Sequence, residues 1–228
     1  MKISIVIPTW EQNGFGSGYL NELLNTIKSQ TFNDFNVIIS DHSLNDDIKN
    51  MLSSYSDSLE INYYRYDEKR GNSPANTNNG LRKANGDIIK IMFQDDLFCN
   101  VKSLETIVEN FKSDDCQWLV NGCNHTSDGK HFTNTMVPSW NDGILYGNNT
   151  ISSPSVLSFR NNDVEMFDEE LVMLMDCEYY YRLSTKHGRS TIINDTLITN
   201  RMHENQISSM YNKSMDEEIN YVSKKYKN

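Results

Sequence analysis

Two adjacent carboxylates, Asp95 and Asp96, stand where an apolar run gives out. The run, Asp87-Ile88-Ile89-Lys90-Ile91-Met92-Phe93, is apolar enough to be a buried strand of a mainly parallel sheet. In an open α/β sheet, ligands collect beyond the carboxyl ends of the strands. Neighbouring acids repel, so placing two there costs stability unless a cation or hydrogen bonds compensate. A divalent metal holding a phosphorylated ligand supplies that compensation. An Asp-Asp turn opening an ordinary loop has the same sequence, and this stretch alone leaves both readings open.

The elements that would position such a site are legible upstream. Ile3-Ser4-Ile5-Val6-Ile7 is a short strand stopped by Pro8. A loop with Gly14, Gly16 and Gly18 follows, and Ser17 is placed to cap a helix carrying Leu20, Leu23, Leu24 and Ile27 on one face. Residues 35–40 read as a second strand ending at Asp41, residues 45–54 as a helix, and residues 59–66 as a third strand. Ser73-Pro74 opens another helix, with Pro at a tolerated first-turn position, running to near Gly86. Repeated strand–helix alternation predicts a mostly parallel α/β sheet. Three strand ends then carry ligand-type groups on one rim: Pro8-Thr9, Asp41 and Asp95-Asp96.

The second half is less regular. Val101, Leu104, Ile107, Val108 and Phe111 mark an amphipathic helix, and residues 117–121 a strand. Residues 122–153 are polar, with Trp140 and Tyr146 embedded, as in a functional loop region. Residues 176–187 read as a helix stopped by Gly188, residues 191–193 and 197–199 as two short strands, and residues 215–226 as a last helix. No repeat or linker divides the chain, so the expectation is one domain over 1–228.

A formal charge of -10 argues against a nucleic-acid partner, whose phosphates require an excess of Lys and Arg. Cys99, Cys116, Cys123 and Cys177 have neither zinc-site nor disulfide-framework spacing. Reduced thiols and the absence of a signal peptide point to a cytoplasmic protein. No apolar run approaches the ~20 residues of a membrane span. Lys224, Lys225 and Lys227 leave room for peripheral contact with an anionic membrane, or mark a solvated helix end.

Four blocks, in order, give the chain a resemblance. They are Ile5-Val6-Ile7-Pro8-Thr9-Trp10; Ile38-Ile39-Ser40-Asp41-His42-Ser43; Asn78-Asn79-Gly80-Leu81 with Ala84-Asn85-Gly86-Asp87 leading to Asp95-Asp96; and Met175-Asp176-Cys177-Glu178 followed by His203-Glu204-Asn205-Gln206-Ile207-Ser208. The chain resembles family 2 glycosyltransferases of the GT-A fold, a three-layer α/β/α sandwich with a mostly parallel central sheet. The resemblance implies transfer of a sugar from a nucleotide-diphosphate donor, a UDP-sugar foremost, to a hydroxyl of a saccharide acceptor, with inversion, in polysaccharide or glycoconjugate synthesis. It implies Mn²⁺ or Mg²⁺ as cofactor, because the leaving diphosphate gains charge that a cation can neutralise.

The resemblance also assigns residues. Asp95 matches the last acid of the family's Asp-x-Asp metal motif, with Asp96 beside it; Phe93 stands where the first acid usually sits. His203 corresponds to a further metal or diphosphate contact, with Arg201 as a weaker candidate for phosphate. Asp176 aligns with the general base that takes the acceptor's proton, although Met175 replaces a common Glu. Glu178 is its rival, about 200° away around the helix. Asp41 corresponds to the residue bonded to the nucleotide base, and Pro8, Thr9 and Trp10 line the same pocket, Trp10 either on the base or in the core. Asn78 matches a conserved-type Asn of the preceding helix; the Arg often before it is Thr77 here, leaving Arg70 or Arg82 as substitutes. A nucleotidyltransferase would call for a basic residue among Gly14, Gly16 and Gly18, which is absent. The nucleotidyltransferase and a non-catalytic nucleotide-sugar-binding module of the same fold are the two alternatives.

Overall fold

The computed structural model describes residues 1–204, 206 and 215–227. Within the fourth sequence block, Asn205, Ile207 and Ser208 lie outside the described residues. The expected α/β architecture with a mostly parallel sheet is present. Strands β1 (Ile3–Thr9), β2 (Phe35–Asp41), β3 (Ile61–Arg65) and β4 (Ile88–Ile91) lie in the order β3-β2-β1-β4, all parallel. Helices α1 (Gly16–Lys28), α2 (Asp47–Met51) and α3 (Ser73–Leu81) connect them. Leu20, Leu23, Leu24 and Ile27 of α1 are fully buried, at about 1.5–3 kcal/mol each. Helix α3 approaches β1 closely: a Cβ at Gly80 would lie 2.6 Å from Val6 Cγ1.

Register decides what the rim presents. Thr9 pairs with Asp41 and Asp41 with Arg65, so β1, β2 and β3 end level. Strand β4 pairs with β1 as far as Val6–Ile91, and Met92 N–H still donates to Val6 O at 2.9 Å. The chain therefore leaves the sheet just before Asp95, and the expected strand through Phe93 is shorter than its apolar run.

The second half differs most from expectation. Residues 122–153 are not wholly irregular. Strand β6 (Trp118–Thr126) runs on into them and pairs antiparallel with β7 (Thr133–Met136). Strand β8 (Leu157–Arg160), unread in the sequence, pairs antiparallel with both β4 and β6 and joins the halves. The two short strands read near 191–199 are one, β9 (Thr191–Arg201), parallel to β6 and also paired with β5 (Leu97–Phe98). Asn194-Asp195, between the two expected strands, is an irregularity within β9, where a Cβ at Gly122 would meet both carbonyl oxygens at 2.9 Å.

Helix α4 (Ser103–Phe111) and helix α5 (Met175–His187) match their periodicity. Two caps differ. Ser17 lies inside α1, behind Phe15 at the cap, whereas Asn72 caps α3 by accepting Ala75 N–H at 2.8 Å. The last helix, α6 (Met215–Lys225), docks through buried Glu218, which accepts the N–H groups of Val172, Met173 and Leu174 at 2.8–3.0 Å ahead of α5. Lys225 turns inward to Asp168 and Glu178, so the C-terminal lysines are not one exposed cluster. Among the described residues no helix is long and apolar enough to cross a membrane.

Candidate active site

The end of β4 and the end of β9 meet at Asp95 and His203. Asp95 Oδ2 lies 2.9 Å from His203 Nε2, across 108 residues of sequence. The same Nε2 is 3.4 Å from Gln12 Nε2. One ring nitrogen thus faces a carboxylate, which calls for a proton on it, and an amide donor, which calls for a lone pair. His203 Nδ1 is buried with no partner. Cis ligands on arms of about 2.1 Å lie about 3 Å apart, close to the Asp95–His203 separation, so the pair fits one edge of a Mn²⁺ or Mg²⁺ shell. Among the described residues no three His, Cys, Asp or Glu gather around one point. Asp95 and His203 would be the protein's share, with phosphate oxygens and water as the remainder.

The surroundings hold these two groups in place. The His203 ring stacks on Tyr19 at 5.0 Å, and the Arg201 guanidinium lies 4.8 Å from the same Tyr19 ring. Arg201 is 3% exposed; it donates to Asp95 O at 3.0 Å and pairs with Glu22, which leaves little for a phosphate. Gln94 accepts Trp10 N–H at 2.9 Å and donates to Trp10 O at 3.0 Å and Gln12 Oε1 at 2.7 Å, tying the loop after β1 to the carboxylate turn.

Asp96 faces inward. Its Oδ1 accepts Arg201 N–H at 2.9 Å and its Oδ2 lies 3.5 Å from Ser153 Oγ. Burial, and then the neighbouring Asp95, push its carboxyl up to about 8. Lys90, fully buried within β4, donates to the carbonyls of Ser155 and Leu157, and burial pulls its ammonium down to about 7. Asp96 thus bonds the carboxylate turn to the end of β9.

Asp176 opens α5. Its Oδ1 accepts Cys177 N–H at 2.7 Å and its Oδ2 accepts Asn149 Nδ2 at 2.8 Å. Burial raises its carboxyl to about 6, against those hydrogen bonds. Glu178, the rival, is fully buried and taken up by Arg182 at 2.9 Å, Lys225 at 2.7 Å and the Tyr226 hydroxyl at 2.5 Å.

One segment links the two carboxylate centres, and sequence reading missed it. Asn149 holds Asp176; Ser152 Oγ accepts from Asn200 at 2.7 Å; Ser153 Oγ lies near Asp96 and 3.0 Å from Asn200 Oδ1; Ser155 Oγ accepts Phe93 N–H at 2.9 Å. Ser152 adopts φ 100°, a left-handed strain uncommon for a residue with a side chain. The polar composition of 122–153 was the only sequence signal for this strap.

At the other end of the rim, Pro8 and Thr9 finish β1. Thr9 Oγ1 lies 3.2 Å from Asp41 Oδ1, which also accepts Ser43 N–H at 2.9 Å and Ser43 Oγ at 2.6 Å; Asp41 Oδ2 accepts the Tyr63 hydroxyl at 2.7 Å. Asp41 is 0% exposed, with three of these contacts on Oδ1 and one on Oδ2. It shapes the rim instead of facing outward. Asn78 bonds Phe167 through both ends of its amide and also Glu169, tying α3 to that loop. Arg70 donates to the carbonyls of His42 and Ser43, and Arg82 lies 3.7 Å from Glu169. Trp10 is half-buried.

The family described as Glycosyl transferase family 2 matches the chain over residues 4–176. A GalNAc(5)-diNAcBac-PP-undecaprenol beta-1,3-glucosyltransferase of Campylobacter jejuni is 28% identical over 96 residues, 42% of this chain and 30% of that protein. Among solved structures, S. aureus TarS 1-349 in complex with UDP-GlcNAc is similar with a TM-score of 0.76 at 20% identity, over 98% of this chain and 66% of that one. Mannosyltransferase PcManGT from Pyrobaculum calidifontis, in complex with GDP-Man and Mn²⁺, is similar with a TM-score of 0.66 at 15% identity, over 89% of this chain and 57% of that one. The chain thus spans under a third of the curated relative's length and just under two thirds of the TarS chain. At these identities the structural likeness shows a shared fold.

Proposed function

The chain belongs to glycosyl transferase family 2, and from that premise we propose that it moves a sugar from a nucleoside-diphosphate donor to a saccharide hydroxyl, with inversion. The observation that supports this is the strap 149–155, which bonds Asp176 through Asn149 and reaches the carboxylate turn beside the Asp95–His203 pair through Ser153 at Asp96 and Ser155 at Phe93. Asp176 takes the acceptor hydroxyl's proton; the acceptor oxygen bonds to the anomeric carbon as the bond from that carbon to the diphosphate oxygen breaks. A carboxyl raised to about 6 is a stronger base than an ordinary one and is still ionised at neutral pH. Glu178, sealed by three partners, has no such reach. Asp95 and His203 would hold Mn²⁺ or Mg²⁺, which would supply positive charge against the departing diphosphate. Residues 1–98 carry the nucleotide side and residues 99–228 the acceptor side.

The printed substrates of the relatives favour a UDP-sugar donor and a saccharide acceptor, in a glycoconjugate or polysaccharide. The free thiols of all four cysteines favour the cytoplasm. Thermal shift with a panel of nucleoside diphosphates, with and without Mn²⁺, tests the reading. Stabilisation by a nucleotide only with metal is expected; no response to any nucleotide refutes it.

A further inference from the structure

We infer that His42 reads the nucleobase, accepting a hydrogen bond at Nε2 from a base that presents a ring N–H, as uracil and guanine do and cytosine and adenine do not. This rests on the donor site proposed above and names its selector.

His42 follows β2 directly, on the rim where β1, β2 and β3 end level. Its backbone N–H donates to Thr9 O at 2.9 Å, and its ring stacks on Tyr66 at 5.1 Å with 17° between planes. The residue is 6% exposed, yet Nε2 has no hydrogen-bond partner. A buried polar atom left without one costs about 1–3 kcal/mol, so such an atom on a ligand-facing rim marks a place for a partner. The Glu68 backbone favours a proton on the ring, and with Nε2 unpartnered that proton belongs on Nδ1, leaving Nε2 a bare acceptor. Burial foremost, and Arg70, lower the ring's affinity for a second proton; Asp41 and Asp67 oppose them. Asp41, the acid beside it, already receives Thr9, Ser43 and Tyr63 and offers no outward acceptor. Among the described residues, His42 Nε2 is a buried acceptor beside this part of the rim that has no partner.

The test is calorimetric titration with Mn²⁺ present, using UDP, GDP, CDP, ADP and N3-methyl-UDP. Wild-type protein is expected to bind UDP or GDP at least tenfold more tightly than CDP, ADP and N3-methyl-UDP. His42→Phe keeps the stack on Tyr66 and loses the lone pair; it should bind all five within about threefold of one another, with the melting temperature maintained. His42→Gln restores an acceptor near the Nε2 position and should recover part of the preference. Wild-type binding that ignores N3 methylation, or a His42→Phe protein that keeps the full preference, overturns the inference and leaves the donor site standing. Failure of every nucleotide to bind overturns both.

Discussion

Replacing Asp176 by Asn removes a charge that the fold holds at a cost. Its carboxyl sits at about 6 against an ordinary 3.8, so the folded state binds that proton more tightly than the unfolded chain. Stability from this group is therefore highest below about pH 4, falls as pH rises towards 6, and is level above. The shift corresponds to at most about 3 kcal/mol, since the residue keeps some solvent contact. Asn ends that dependence but brings its own cost. Asn149 cannot flip to meet it, because its Oδ1 already accepts the N–H groups of Ile151 at 2.9 Å and Ser152 at 3.0 Å. Asn at 176 has one oxygen for two donors, Cys177 N–H and Asn149 Nδ2, and leaving one unpaired costs about 1–3 kcal/mol. At pH 7 the terms nearly cancel, so the variant should melt close to wild type there. Between pH 4 and pH 7 its melting temperature should rise relative to wild type by up to about 10 °C, at 2–4 °C per kcal/mol. Transfer should fall by about 10²–10⁴-fold with metal-linked nucleotide binding intact. Calorimetric melting across that pH range and a transfer assay read the two halves. A melting difference that does not change with pH refutes the burial argument, and turnover within tenfold of wild type refutes the base.

Other substitutions separate neighbouring roles. Asn149→Ala removes a hydrogen bond to the ionised Asp176, so the acidic limb of the kcat/KM profile should move up by about one pH unit. Asp95→Ala should abolish Mn²⁺-linked stabilisation by nucleotide, and His203→Ala should weaken it at least tenfold; undiminished Mn²⁺ linkage in either would remove that residue from the metal. Glu178→Ala leaves Arg182 with Glu165 and Lys225 with Asp168 but removes the buried carboxylate they share with Tyr226, and should destabilise by about 1–3 kcal/mol in urea melts while keeping the wild-type acidic limb.

The first half was legible because its rules are local. Apolar strands, the Pro74 helix start and the periodicity of α1 each declare themselves within ten residues, and in a parallel sheet strand ends fall on one rim. Asp95, Asp176 and His203 were placed by block order, and the structure sets Asp95 against His203. What sequence could not show was which polar groups are spent internally. Asp41 and Asn78 look like ligand groups, yet their partners Tyr63 and Phe167 come from a neighbouring strand and a distant loop. Strand β8 was lost for a related reason: its four residues are too few for periodicity, and its pairing with β4 and β6 is long-range.

Phe93 gives that long-range character a chemical consequence. A local acidic motif could hold a cation from one turn. Here the position of its first acid is apolar, and Phe93 N–H is instead fixed by Ser155 Oγ from the strap. His203, the second group proposed for the metal, follows the end of β9, where Arg201 N–H also bonds Asp96. Donor atoms for a cation at the proposed site would therefore converge only when the end of β9 is docked on the carboxylate turn, and the strap that helps dock it also holds Asp176. Binding free energy gained by a cation at Asp95 and His203 accrues only to that docked arrangement. On the proposed reading, metal, donor and base would thereby be coupled through residues 149–155 and 199–203, outside β4.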